Sequence, residues 1–339
     1  MNINNPPCVS VVMGCFGEPS QWIQEAIDSI LNQTFSDFEF IIINDNPERK
    51  ELSDFLEENR LKDNRIKVIN NETNIGLTKS LNIGLNESKG KYIARMDADD
   101  ISLPRRFEKQ VKYLNNHPEC GIIGCWIEMF GSKTGVFKCK ENDEDLKSIQ
   151  FFQSPFDHPA TMMRTSVLKD CGIKYNENLR YAQDQDLWAS LSKVCEFYNV
   201  QEILFKHRFN HQQVSKNHSS EQSNNVKITR TKLIHDYLAK YNLERILEQE
   251  ISVSLILKLL NKADSLKLST RDQKNINRIV MSLLMSLKSY SIPELTRFIF
   301  STIYMRKTWS VKEFIRVIRA FITRKHDSYL GIINYSRDE

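Results

Sequence analysis

The sequence predicts an α/β fold in which a mostly parallel central sheet is flanked by helices and followed by an α-helical C-terminal appendage. Three observations carry that prediction. Between residues 9 and 96 short apolar runs alternate with amphipathic stretches, residues 121–140 are strand-like between glycines, and beyond about residue 227 only helical spacing remains. A chain of 339 residues suits one large domain with an appendage, or two domains, and the change of character divides it into 1–215 and 216–339.

The apolar runs are residues 9–13, 39–43, 66–69 and 91–96, with amphipathic stretches 22–31, 52–56 and 77–85 between them. This β-α-β-α-β-α-β series implies parallel strands covered on both faces, with ligands at the carboxyl ends of the strands. A helix follows Pro104, because proline fits a first helical turn and Phe107, Val111 and Leu114 recur at helical spacing until His117-Pro118 stops it. Ile122-Ile123, Trp126-Ile127 and Val136-Phe137 mark the strand-like stretch. Residues 184–191 form a further helix, and the polar segment 210–225 reads as a loop or linker. Leu255/Leu259, Val280/Leu283/Leu284/Leu287, Leu295/Phe298/Ile299 and Phe314/Val317/Ile318/Phe321/Ile322 then each follow one buried helix face.

Composition narrows the function classes. With 47 Lys+Arg against 43 Asp+Glu, the net charge of +4 is too small to argue for nucleic acid. The run 9–13 is too short and too early for a secretory leader, and no stretch approaches the ~18 apolar residues needed to cross a bilayer. The seven cysteines are odd in number, scattered and without a C-x-x-C pair, which indicates neither a disulfide framework nor a zinc site. A reducing cytosol is the expected location.

The sharpest local feature is Met96-Asp97-Ala98-Asp99-Asp100, at the end of an apolar strand. Three adjacent carboxylates repel one another unless something positive sits beside them, and Mg²⁺ or Mn²⁺ takes carboxylate and phosphate oxygens. A solvated Asp-rich turn capping the next helix is the alternative. Another loop after a strand, Ile43-Asn44-Asp45-Asn46-Pro47, offers a carboxylate able to accept a base N–H such as uracil N3–H, or else an ordinary Asp/Asn turn.

Taken together, several segments resemble family 2 glycosyltransferases of the GT-A fold. They are residues 9–13, 26–35 (AIDSILNQTF), 40–45 (FIIIND), Asn74-Ile-Gly-Leu77 with Asn82-Ile-Gly84, 90–100 (GKYIARMDADD) and 181–188 (YAQDQDLW). In the family's order they cover roughly residues 8–215.

The resemblance implies that Asp97-Ala98-Asp99 is the DXD element of a sugar-nucleotide site. Asp99 would bind a divalent metal, Mn²⁺ or Mg²⁺, bridging the donor diphosphate. Asp97 would reach the ribose or the metal, and Asp100 would orient the donor or a neighbouring loop. Asp45 would contact uracil, and Phe16 would stack on the base, although the first loop, Gly14-Cys15-Phe16-Gly17-Glu18, departs from the family's Thr/Ser-x-Tyr-Asn. Lys79, Arg95 and Arg105 would pair with phosphates or with the Asp cluster, or form solvated salt bridges. Asp184 matches the general base of inverting members, with Gln183 where relatives carry Glu. Its own residue type also suits a helix N-cap. His211, in Arg208-Phe-Asn-His-Gln-Gln-Val-Ser215, would add a metal or diphosphate ligand, and His158, in Asp157-His-Pro-Ala160, sits in a family-like setting.

The expected activity is metal-dependent, inverting transfer of a hexose or N-acetylhexosamine from a UDP-sugar to a growing surface glycan. An O-antigen or capsule precursor on a polyprenyl diphosphate is the expected acceptor. Residues 305–325 carry Arg306, Lys307, Lys312, Arg316, Arg319, Arg324 and Lys325 opposite Trp309, Phe314 and Phe321, a pattern for an interfacial helix at the inner face of the cell membrane or for a packing helix with a solvated charged side. A sugar nucleotidyltransferase would need a basic Gly-rich loop after the first strand, which 14–19 lacks. Neither G-x-G-x-x-G nor Gly-Lys-Ser/Thr is present. A catalytically inactive nucleotide-sugar-binding module remains the non-enzymatic alternative, against which Asp97, Asp99 and Asp184 together argue.

Overall fold

The computed structural model describes residues 6–210, 219–248 and 251–285. They fall into two compact units, one within Met1–Leu146 and Pro155–Val226, the other within Lys147–Ser154 and Lys227–Ile333.

The first unit begins with the alternation read from the sequence: β1 (Val9–Cys15), α1 (Ser20–Leu31), β2 (Phe38–Asn44), α2 (Lys50–Lys62), β3 (Ile66–Asn70), α3 (Leu77–Glu87) and β4 (Tyr92–Asp97). There follow β5 (Ile101–Ser102), α4 (Arg106–Asn116), β6 (Cys120–Gly131), β7 (Gly135–Phe137), α5 (Asp143–Ile149), β8 (Met162–Arg164), α6 (Thr165–Asp170), α7 (Gln183–Leu191) and β9 (Glu196–Phe209). The strands form one sheet in the order β3-β2-β1-β4-β8-β6-β9-β5, with β7 paired to β6. β1 to β4 are mutually parallel; β8 is antiparallel to both β4 and β6, and β9 is parallel to β6. β6 and β9 therefore run in the same sense as β1 to β4, and their carboxyl ends reach the same rim.

Side-chain alternation sorts the core onto two faces. Val9, Val11 and Met13 of β1 pack with Phe40 and Ile42 against Ile23, Ile27 and Ile30 of α1, Leu52 and Leu56 of α2, and Phe107 of α4. The intervening Val12, with Ile41, Ile43 and Ile93, packs against Leu81 and Leu85 of α3 and Leu187, Trp188 and Leu191 of α7. Each such buried aliphatic side chain contributes about 1.5–3 kcal/mol.

The helix α8 (Ser219–Ala239) crosses the boundary at Val226, and the second unit continues with α9 (Val253–Ser265) and α10 (Thr270–Met285), helical as the spacing predicts. Leu255, Leu259, Val280, Leu283 and Leu284 join its core, to which Phe151 also belongs. One expectation is corrected here: residues 219–225 begin α8 and are not a linker. Those first two turns or so, Ser-Ser-Glu-Gln-Ser-Asn-Asn, have no apolar residue and so carry no periodic signal. The predicted helical segments beyond residue 285, including 305–325, lie outside the described residues.

Candidate active site

The strand ends are level. Gly14 of β1 is in register with Asp97 of β4, and Cys15 with Asn44 of β2. The loops after β1, β2 and β4 therefore open side by side on one rim.

The turn after β4 is built on Arg95. Its guanidinium ion-pairs with Asp97 and donates to Met96 O. Burial alone would raise the Asp97 carboxyl, but Arg95 and His207 outweigh it and hold it below the usual range. Asp99 has no such partner: among the described residues no neighbouring side chain ion-pairs with it. Burial, Asp97 and Glu18 push it up to about 7. Asp100, expected in contact with the donor, is only 1% exposed. Its Oδ1 accepts the backbone N–H of Arg208 at 2.7 Å and its Oδ2 lies 3.8 Å from His207 Nδ1. Its oxygens thus face β9.

The loops beside it hold the other expected residues. Phe16 is 47% exposed, an aromatic surface free to take a stacking partner. Asp45 is buried, and its carboxylate is largely taken up inside the protein. Oδ1 accepts Asn71 Nδ2 and Ile75 N, while Oδ2 accepts Gly76 N at 2.8 Å, so Asp45 fastens the loop entering α3 and keeps capacity for one more donor on Oδ2. Lys79 is exposed in the first turn of α3. Arg105 is 3.7 Å from Glu108, an exposed pair on α4.

Asp184 stands in the first turn of α7, after Ala182 in the left-handed region at φ 60°. Burial lifts its carboxyl to about 6 against the opposing pull of backbone N–H groups, with Asp157 adding to the rise. The preceding loop is tied to α3: Thr78 Oγ1 donates to Leu179 O, and Asn82 bonds both Tyr175 O and Glu177. His158 shares a 2.7 Å hydrogen bond with the Tyr175 hydroxyl, and burial followed by Arg95 depresses it to about 3, so it is a neutral structural histidine. His211 lies outside the described residues.

Three groups were not read as site residues. Glu18 adjoins Asp97 and Asp99 electrostatically, and its carboxylate accepts Phe16 N. His207 lies 3.2 Å from Asp157; burial opposes its charge, but Asp157 and Asp100 hold it protonated well above the usual histidine range. Arg208 grips the Asp99-Asp100 turn. No single-residue motif marks these positions: the meaning of His207 and Arg208 comes from β9 lying against the β4–β5 turn, and that of Glu18 from the β1 loop opening beside β4.

Comparison with known proteins decides the family. The family model described as glycosyl transferase family 2 matches residues 10–172. An uncharacterized glycosyltransferase of Haemophilus influenzae is 33% identical over 340 residues, covering 95% of this chain and 98% of the relative. The chain belongs to glycosyltransferase family 2. Another relative of this transferase is the UDP-Gal:alpha-D-GlcNAc-diphosphoundecaprenol beta-1,3-galactosyltransferase of Escherichia coli, 32% identical over 212 residues, 61% of this chain and 76% of that one. Other relatives are named for O-antigen and amylovoran biosynthesis. The fold is that of Staphylococcus aureus TarS in complex with UDP (TM-score 0.55, 18% identity, 95% and 88% of the two chains). It is also that of a mannosyltransferase from Pyrobaculum calidifontis in complex with GDP-Man and Mn²⁺ (TM-score 0.50, 14%, 96% and 89%). The transferase thus has the expected GT-A fold.

The donor set of the transferase fits a hard divalent cation. Asp99, without an ion pair among the described residues, is raised by burial and then by two acidic neighbours, and a cation beside it would offset both. Among the described residues no three His, Cys, Asp or Glu side chains converge on a ready-made metal site. One or two carboxylates completed by substrate phosphate and water are enough for Mg²⁺-type ions. Asp99 would hold the ion, with Asp97 contributing through the oxygen that Arg95 leaves open. No helix among the described residues is long and apolar enough to cross a membrane.

Proposed function

We propose that this enzyme moves a hexose or N-acetylhexosamine from a UDP-sugar to a growing surface glycan with inversion at the anomeric carbon, using Asp184 as general base. One observation carries the reading: the Asp97–Asp99 turn and a carboxyl raised to about 6 occur in one unit and share Arg95 as a common electrostatic neighbour. An Asp that is ionised near neutral pH, yet more basic than usual, suits proton abstraction from an acceptor hydroxyl.

In this mechanism Phe16 offers its exposed ring to the base, and Asp45 uses its remaining acceptor capacity toward the uracil N–H. Lys79 offers a cation to the diphosphate. Arg95 keeps Asp97 ionised and directed. Asp184 takes the proton of the acceptor hydroxyl as its oxygen attacks the anomeric carbon from the face opposite the leaving group. The bond to the diphosphate oxygen breaks and UDP departs. A divalent ion held by Asp99 would supply neutralisation of the charge that develops on the departing diphosphate.

A polyprenyl-diphosphate-linked glycan is the proposed acceptor, supported by the relative named for such a substrate. Residues 216–339 are proposed to meet that acceptor or the inner membrane face, the latter through the basic stretch 305–325. The test is a screen of UDP-sugars with Mn²⁺ and Mg²⁺ against a lipid-linked acceptor extract, with the product anomer determined. Asp99→Ala should abolish metal-dependent UDP binding. Retention of the donor's anomeric configuration in the product would refute the inverting mechanism. Substituting the basic residues of 305–325 should reduce liposome association, and unchanged partitioning would remove the membrane assignment.

A further inference from the structure

Arg208 is the penultimate residue of β9, and five contacts to described residues hold it. Its backbone N–H donates to Asp100 Oδ1 at 2.7 Å, and its Nε donates to the backbone carbonyl of Asp99, also at 2.7 Å. Its Nη2 ion-pairs with Glu25 of α1. The guanidinium lies over the rings of Trp22 (4.9 Å) and Phe130 (4.4 Å). The side chain is 13% exposed, so these contacts are made largely out of water, where they are stronger than at a free surface.

The place from which Arg208 acts is rigid. It pairs with Phe130 in the β6–β9 ladder, and the next pair, Gly131 with Phe209, approaches so closely that a Cβ on Gly131 would sit 2.4 Å from Phe209 O. Ser132 N closes the corner by donating to the same carbonyl at 2.8 Å.

Its grip bears on one side chain in particular. The Asp99 carbonyl belongs to the peptide group joining Asp99 to Asp100, so Nε fixes that plane while the Arg208 N–H fixes the carboxylate just beyond it. Together they set the backbone torsion at Asp99 and hence the direction of its carboxylate, which makes no ion pair among the described residues. We infer that Arg208 is the positioning residue that aims the Asp99 carboxylate at the donor's diphosphate and its cation, bracing the turn against α1 without touching substrate itself. This rests on the proposed metal-binding role of Asp99.

The experiment uses the full chain and measures UDP binding by calorimetry across a Mn²⁺ titration, together with Tm, for wild type, Arg208→Met, Arg208→Lys and Glu25→Gln. Arg208→Lys keeps the cation for Glu25 but loses the planar Nε donor, and it carries the test if Arg208→Met does not fold. The expected result is a roughly 10- to 100-fold higher Mn²⁺ requirement for both Arg208 variants, the size typical when a residue orienting a metal ligand is lost. UDP binding without metal should be unchanged in Arg208→Lys, and Glu25→Gln should titrate like wild type, because it leaves both bonds to the turn intact. A Mn²⁺ requirement in Arg208→Lys equal to that of wild type overturns the inference. So does loss of metal-free UDP binding in step with the metal response, which would mark a general structural role. If wild-type UDP binding itself ignores Mn²⁺, the metal-binding role of Asp99 fails and this inference fails with it, an outcome visible before any variant is compared.

Discussion

Arg95 and Asp97 stand two positions apart on β4, leave the same face of the strand and form an ion pair at its carboxyl end. The arginine side chain is 2% exposed and the aspartate 31%. Removing the cation with Arg95→Met leaves Asp97 facing the other carboxylates of the turn with the charge of His207 alone to offset them. A fully buried pair broken this way costs about 3–5 kcal/mol, and the solvent left to Asp97 reduces that to about 2–3. Urea unfolding should show this loss, and adding Asp97→Asn should recover part of it. Equal stability of Arg95→Met and wild type would show that the pair stabilises nothing.

Asp184 gives a pH dependence with a defined sign. Its carboxyl is raised to about 6, and the general-base role proposed for it requires the ionised form, so transfer should fall about tenfold per unit below pH 6 and level off above it. Asp184→Asn should bind UDP normally and not transfer. The same shift has a stability consequence: the folded state holds this proton more tightly than the unfolded chain, so the group weakens the fold as pH rises from about 4 through 6. Asp184→Asn should therefore raise Tm at pH 8 and leave it unchanged at pH 3, as scanning calorimetry would read.

His158 predicts the opposite behaviour for a base. Depressed to about 3 by burial and Arg95, it stays neutral in the folded state while the unfolded chain takes up its proton near pH 6.5. It therefore contributes acid lability, with stability present above about pH 6.5 and lost as pH falls toward 3. NMR titration should show no His158 transition between pH 5 and 8. A midpoint in that range would contradict the buried, Tyr175-bonded ring.

The alternation of strands and helices was legible because each element buries one stripe, and stripes repeat in sequence. The carboxylates at 97, 99 and 100 were legible because three like charges in four residues demand a reason. Their division of labour was legible only in part: Arg95, read as a partner for phosphates or for the Asp cluster, pairs with Asp97, whereas Asp100 turns toward Arg208 and His207, and among the described residues Asp99 makes no ion pair. The contacts of Asp100 depend on β9, which reaches the turn from more than a hundred residues away. A sequence read locally cannot register such a pairing. Asp45 was recognised as special, yet its bonds to Asn71, Ile75 and Gly76 come from the next strand's loop, equally out of local view. Ser219–Asn225 misled for a different reason, since a polar helix start has the composition of a linker.

Gly84 sets two helix effects against each other. On an exposed helix, Gly→Ala stabilises by about 1 kcal/mol through backbone entropy. In α3 the added Cβ would fall 2.3 Å from Val12 Cγ1 and 3.1 Å from Ile43 Cδ1, inside a face where every neighbour is packed. Overpacking of that kind costs about 1–3 kcal/mol, so the clash should outweigh the propensity gain and Gly84→Ala should lower Tm. The helix can escape only by backing away from β1, and α3 carries Thr78 and Asn82, which hold the loop leading to Asp184. Transfer should then decline more than stability alone explains at a temperature where the variant is fully folded. A Tm above wild type would mean that α3 does not need its glycine to lie against the sheet.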